Sequence, residues 1–392
     1  MPRSELLRRI AKELPKTELH LHLDGSLPAS FIASRALARG ISCPPTSEIR
    51  SFLHKRKTRS KHKESGVGAG QNWGVFDYCN LFLQTFEEIS EATKLVCNDL
   101  SLENVSYAEI RLCPSLHTKE GLMEAEAIRA VHEGIKSSNL EWGGGVIVCG
   151  LRSHDPLRTL GLARLSHESK HIGVVGFDIA GDEASFPLNR HEEALRFCRS
   201  VGLQTTVHAG EWPKDTGSLH NVRLALEMGV DRIGHGWTMV HDTELMDQVA
   251  DAGICVEICM TSNVNEHIDG MVRNYASHPV REFFERGIRC ALSSDNLLLS
   301  GTASRAASPS SELYRLLTVC GFSVDEAAVL LMRGPRSVFG VPKRKRKMGA
   351  RDGEMCGIAS FERWTERRIR EVLSVASESN GIGEQGVHRD GP

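Results

Sequence analysis

The groups able to do metal and acid–base chemistry fall in short, separate stretches of this sequence. In Thr17-Glu18-Leu19-His20-Leu21-His22-Leu23-Asp24-Gly25-Ser26, two histidines stand two residues apart. Side chains at i and i+2 of a strand point to the same side, and neutral imidazole is the commonest protein ligand for zinc. Alone, such a pair is more often two satisfied histidines in a half-buried strand. Three further stretches change that balance: His208-Ala209-Gly210-Glu211, Gly234-His235-Gly236 and Ser294-Asp295-Asn296. His20, His22, His208 and Asp295 would give three nitrogens and one oxygen for a divalent ion, with a position left for water. That is the pattern of catalytic zinc, although the same donors also suit Fe²⁺, Co²⁺ or Mn²⁺.

For these residues to meet, their strands must end on one face. Short apolar runs recur at 107–112 (YAEIRL), 145–151 (GVIVCGL), 172–179 (IGVVGFDI), 204–208 (QTTVH), 232–235 (RIGH), 254–259 (ICVEIC) and 289–293 (RCALS). With the His20 stretch they make eight expected strands. Helical spacing separates the later ones, over 191–201, 221–228, 242–252 and 279–286. Alternating strands and helices imply a parallel sheet, and eight units a closed (β/α)₈ TIM barrel, in which the strand C-termini converge on one rim. A doubly wound open sheet would carry a Gly-rich phosphate loop after its first strand; here that strand runs into Leu23-Asp24-Gly25. The Gly66-x-Gly68-x-Gly70 spacing follows no expected strand.

The chain has 392 residues, 40% hydrophobic and 25% charged, with a net charge of -2. This is ordinary for a globular protein, and so small a charge points to neither nucleic acid nor membrane as partner. No run of eighteen apolar residues occurs, and the start has no apolar core of a signal peptide. The eleven cysteines are scattered with no Cys-x-x-Cys, so reduced thiols and a cytoplasmic location are expected. Two segments break the pattern. Residues 54–71 (HKRKTRSKHKESGVGAGQ) are basic, then Gly-rich, and read as a loop-like insertion in a barrel spanning 1–342. From 343 to 392 a Lys-Arg-Lys-Arg-Lys run opens a mostly polar extension, with helical spacing over about 358–375 (Phe361, Trp364, Ile369, Leu373). The basic run reads as a solvated tail, a nuclear address or an anion patch.

The blocks ELHLHLDGSL (18–27), YAEIRLCP (107–114), VVGFDIAGDE (174–183), TVHAGE (206–211), RIGHG (232–236), TSN (261–263) and SSDN (293–296) resemble, in order, those of the adenosine deaminase family of metal-dependent amidohydrolase barrels. The resemblance covers about 18–339, most of the chain. It implies one Zn²⁺ held by His20, His22, His208 and Asp295, and hydrolysis of the C6 amino group of adenosine and 2′-deoxyadenosine. Glu211 would protonate purine N1, and so needs a raised pKa. His235 would orient the attacking water or act as base, and Asp295 would also accept a hydrogen bond from that water.

For substrate binding the resemblance implies the rim around His22: Gly181 with a backbone N–H for purine N3, and Asp24 for a ribose hydroxyl. A carboxylate at Asp24 would repel a 5′-phosphate and argues for a small-molecule purine nucleoside. Asp178 and Asp182 are expected to be supporting groups. One departure stands out: many members have Asp-Asp where this chain has Asp295-Asn296. An Asn amide donates directly to N7, where a carboxyl group must first be protonated. Relatives acting on adenine or N6-methyl-AMP share most of this site and form the alternative reading, with a catalytically silent binding protein on the same scaffold further behind. The Pro-Cys-x-x-Cys of nucleic-acid base deaminases does not occur.

Overall fold

The computed structural model describes residues 2–60, 73–213, 217–264, 272–302, 306–345 and 356–378. Eight parallel strands follow one another round a single sheet: β1 (Lys16–His22), β2 (Val105–Leu112), β3 (Gly144–Leu151), β4 (Val174–Ala180), β5 (Gln204–Ala209), β6 (Arg232–His235), β7 (Cys255–Ile258) and β8 (Arg289–Leu292). All eight expected strands are present. Residue 172 instead ends a 3-10 turn, and Gly173, at φ +92°, makes the bend into β4. The ends of β8 and β1 meet where the His22 N–H donates to the Asp295 carbonyl and the Asp295 N–H to that of His20, both at 2.9 Å. This nearly closes the barrel and sets Asp295 between the two histidines of β1.

The strands form because they are buried on both faces. All eight residues of β2 are buried, the condition under which parallel strands read as nearly unbroken apolar runs. The intervening helices start on local signals. A Thr85–Glu88 capping box opens Phe86–Leu102, Asp155 with Pro156 at the first position opens Pro156–Glu168, and Asp242 caps Thr243–Asp251. Each satisfies backbone N–H groups that the first turn leaves without partners. Among the described residues no helix is long and apolar enough to cross a membrane. All eleven cysteines are unpaired, nine of them buried.

The barrel interior is charged where such barrels usually pack branched apolar side chains. Arg111 of β2 donates to Asp178 of β4 at 2.9 Å and to Glu257 of β7 at 2.8 Å. Arg232 of β6 pairs with Glu109 and Glu257, each at 2.7 Å. All five side chains are buried, and such groups persist only when paired and hydrogen-bonded. Below this lattice the chain plugs its own barrel, the Phe339 and Gly340 N–H groups donating to Glu109 Oε1.

The helix Ile358–Glu378 then covers the plug: the Phe361 ring packs at a tilt against Trp142 and Tyr107 and the Trp364 ring edge-on against Trp142, with ring centroids 5.0–5.8 Å apart. Part of the basic run is engaged beside it. Arg344 pairs with Glu141, and Lys345 Nζ donates to the carbonyls of Ile135 and Ser138. Residues 346–347 of that run lie outside the described residues. The loop reading of the basic insertion needs correction for 54–60, which continue the helix Ile49–Ser60. Lys and Arg are good helix formers, and buried Ile49 and Leu53 anchor its first turns. Residues 61–71, with the Gly66-x-Gly68-x-Gly70 spacing, lie outside the described residues.

Candidate functional site

At the C-terminal rim, β1 places His20 and His22 on one side, His208 stands one residue before the end of β5, β6 ends in His235, and Asp295 follows β8. Two carboxylates behind the rim aim two of the imidazoles. Glu257 Oε2 lies 2.7 Å from His20 Nδ1 and Asp178 Oδ2 lies 3.1 Å from His208 Nδ1. A carboxylate that accepts the Nδ1–H leaves Nε2 bare and pointing forward, the arrangement that orients metal-ligating histidines. Arg111 holds both carboxylates and keeps them charged. Burial alone would push Glu257 up, but Arg111 and Arg232 outweigh it, and Glu257 stays well below the usual carboxylate range. Asp178 is likewise held low by His208 and Arg111 against burial.

The forward-facing atoms converge. His22 Nε2 is 3.1 Å from His208 Nε2, and Asp295 Oδ1 is 3.5 Å from the Nε2 of both His20 and His22. Bonds of about 2.0–2.2 Å to one ion put neighbouring ligand atoms roughly 3–3.5 Å apart, so these edges fit a single divalent cation. His20 Nε2 is buried and, among the described residues, has no hydrogen-bond partner, the condition of an atom built for a ligand. Asp295 Oδ2 is fixed by hydroxyls of Ser262 at 2.5 Å and Ser300 at 3.3 Å. His235 also lies close, its donor atom within 4.8 Å of those of His20, His208 and Asp295. The structure brings together all four expected ligands, with His235 beside them.

Backbone strain is concentrated here. His235 and Asp295 have φ of +65° and +62°, two of three such non-glycine residues among those described; each such conformation costs on the order of 1–3 kcal/mol and persists where surroundings over-determine it. A Cβ on Gly234 would stand 2.8 Å from His20 Cε1, so only glycine lets β6 pass that close to the ring.

Glu211 is held by its neighbours before its own side chain is considered. Buried Glu183 accepts the N–H groups of Gly210, Glu211 and Trp212 at 2.8, 3.0 and 3.2 Å. Trp237 Nε1 donates to the Glu211 carbonyl at 2.7 Å. The Glu211 carboxyl group then stands 3.7 Å from His235 Nε2. Burial pushes Glu211 up to about 7 and His235 down to about 3. The pair therefore offers a protonatable acid beside a neutral imidazole near pH 7.

The expected substrate contacts ring the cluster. Asp24 accepts from Asn80 Nδ2 at 3.2 Å, and burial raises it to about 6. Asn296 donates to Ser300 Oγ at 3.3 Å while its Oδ1 has no hydrogen-bond partner among the described residues. A Cβ on Gly25 would fall 1.6 Å from that Oδ1, so the loops after β1 and β8 touch at a point only glycine permits. Gly181 follows β4 with φ +107°. Asp182 turns to its own loop and accepts from the Ala184 and Ser185 N–H groups. Sequence reasoning did not single out Arg111, Glu183, Glu257, Asn263 or His278. A charged residue inside an apolar strand, as in YAEIRL or ICVEIC, was the available signal for Arg111 and Glu257.

A parallel eight-stranded barrel with a histidine–carboxylate cluster on its C-terminal rim defines a class: barrel enzymes whose catalytic groups come from several strand ends. The sequence from 15 to 349 matches the family model described as adenosine deaminase. A probable adenosine deaminase of Dictyostelium discoideum is 32% identical over 334 residues, 83% of this chain; the match spans only 40% of that relative's length. An adenosine deaminase of Enterococcus faecalis is 30% identical over 338 residues, 86% of this chain and 95% of that relative. Among solved structures, an amidohydrolase of Burkholderia ambifaria with bound Zn superposes with a TM-score of 0.77 at 21% identity, covering 96% of each chain. An adenine deaminase of Arthrobacter aurescens superposes with a TM-score of 0.73 at 21% identity, covering 92% of this chain and 99% of that one. The chain belongs to the adenosine deaminase family.

Proposed function

We propose that this protein hydrolyses the C6 amino group of adenosine and 2′-deoxyadenosine, giving inosine or 2′-deoxyinosine and ammonia. The observation that carries the reading is the Glu211 carboxyl group, raised to about 7 by burial and set 3.7 Å from His235 at the edge of the His20–His22–His208–Asp295 cluster. An acid poised near neutrality beside a metal-type donor set is what addition of water to a purine requires. Those four residues would hold Zn²⁺, which when bound lowers the pKa of water from 15.7 toward neutrality.

The chain's own groups supply the rest. Glu211, protonated, donates to N1 and makes C6 electrophilic. Asp295, its Oδ2 already held by Ser262 and Ser300, fixes the orientation of its Oδ1 toward the reacting water. The Gly181 N–H meets N3, where the missing Cβ allows close approach. The Asn296 amide donates to N7, and Asp24, steadied by Asn80, accepts from a ribose hydroxyl.

A second reading has one observation in its favour. Arg50 of the helix Ile49–Ser60 donates to the Leu298 carbonyl at 3.3 Å, placing a cation beside the loop that carries Asn296. A cation there suits a 6-aminopurine nucleotide, whereas Asp24 opposes one. The test of the leading reading is Glu211→Gln in metal-replete protein. The glutamine should retain metal and substrate binding and lose kcat by on the order of 10²–10⁴. A kcat near that of the parent would remove Glu211 from the acid role.

A further inference from the structure

Behind His235 runs a chain of polar contacts that the reaction as described does not use. His278, just before the helix Val280–Glu285, has its Nδ1 3.2 Å from the backbone nitrogen of Val280. Its Nε2 is 3.2 Å from Asn263 Oδ1, and Asn263 Nδ2 is 3.0 Å from His235 Nδ1. All three side chains are buried. Beyond them lies His235 Nε2, which is buried, has no hydrogen-bond partner among the described residues and faces Glu211.

The direction of this chain follows from its far end. A backbone N–H can only donate, so His278 Nδ1 must accept, and a neutral imidazole then carries its proton on Nε2. Burial keeps His278 neutral, pushing it down to about 3. The Nε2–H donates to the Asn263 carbonyl oxygen, which fixes the amide and turns its N–H toward His235 Nδ1. That nitrogen accepts, and the proton of His235 is left on Nε2. Turning the amide over would set its N–H groups against the His278 Nε2–H, donor against donor, and would leave a buried polar group unmatched at a cost of about 1–3 kcal/mol.

We infer that Asn263 and His278 are positioning residues that relay the polarity of the Val280 N–H to His235 and lock it in its Nε2–H tautomer. His235 then presents a hydrogen-bond donor to the reacting centre, which assigns it to orienting and stabilising the oxygen nucleophile and not to taking its proton. This rests on the deaminase reading of the site for its catalytic meaning, but the tautomer itself is a property of the fold.

The experiment is a two-bond ¹H–¹⁵N correlation spectrum of Zn²⁺-loaded protein labelled with ¹⁵N-histidine, the His235 signals being identified by their loss in His235→Gln. The parent should show a protonated Nε2 and a bare Nδ1 at His235. Asn263→Asp replaces the amide with a carboxylate that only accepts, so it should draw the His235 proton to Nδ1. With the donor withdrawn from the site, kcat should fall by on the order of 10² or more, the order of effect of a positioned proton donor or a wrong tautomer. KM should change no more than about twofold, since ground-state binding is untouched. An Nδ1–H signature at His235 in the parent overturns the inference, as does an unchanged Nε2–H signature in Asn263→Asp. The parent spectrum decides the matter even where that variant does not fold. It is read without turnover, so an inactive parent would count against the deaminase reading and not against the tautomer.

Discussion

Each candidate catalytic group in this protein is a common side chain whose behaviour is set by what lies within about one hydrogen bond of it. His208 is aimed by Asp178, and its Nε2 meets that of His22 at 3.1 Å. Removing it in His208→Ala should abolish stoichiometric metal, as measured by elemental analysis of purified protein; full metal content would exclude His208 as a ligand. Glu211 has its pKa raised to about 7 by burial, and the role assigned to it uses the protonated form. That form is full below pH 7 and is lost as pH rises through it. We therefore expect kcat/KM with adenosine to fall above about pH 7, approaching tenfold per unit, with the limb absent from the residual activity of Glu211→Gln. An unchanged limb in that variant would assign it to another group. The expected metal ligands, Glu211 and His235 were legible in the sequence because strand-end positions converge in a barrel and these residue types are few. The groups that aim them were not legible: Glu257 and Arg111 read as interruptions of apolar strands, and their partners lie far away in sequence.

At the scale of elements, the strand ends do the positioning and the loops after them are fitted to one another with little room to spare. The places of β2, β5 and β6 followed from the short runs at 107–112, 204–208 and 232–235, which fall on the strands Val105–Leu112, Gln204–Ala209 and Arg232–His235 to within two residues at each end, because strands buried on both faces leave a local apolar signal. The helix Ile49–Ser60 did not, since its basic second half has no apolar face to mark it. The closest fit is that of Gly25 under Asn296. In Gly25→Ala the new methyl group must displace the Asn296 side chain, whose Oδ1 lies 1.6 Å from the ideal Cβ position. The loss of one purine hydrogen bond should reduce kcat/KM about tenfold, with metal content unchanged. Unaltered kcat/KM in steady-state assays would show that Asn296 does not contact substrate.

At the scale of the whole molecule, one end of the barrel carries the candidate site and the other is covered. The cover is built from Phe339 and Gly340 on Glu109 and from the helix Ile358–Glu378, whose Phe361 is fully buried against Trp142 and Tyr107. The helical spacing of 358–375 was visible in the sequence, but its docking on the barrel was not, because nothing local specifies a partner 200 residues away. Phe361→Ala should destabilise the protein by about 3–5 kcal/mol in urea unfolding, while kcat in the remaining folded protein stays unchanged; a change well under 1 kcal/mol would mean that the helix contributes little to the barrel. The central claim, that this barrel deaminates a purine nucleoside, is tested most directly by kcat/KM of metal-replete protein with adenosine, 2′-deoxyadenosine, adenine, AMP and N6-methyl-AMP side by side. The site as built, with Asp24 on the rim, predicts that the two nucleosides are preferred. Preference for adenine or for either nucleotide would contradict it.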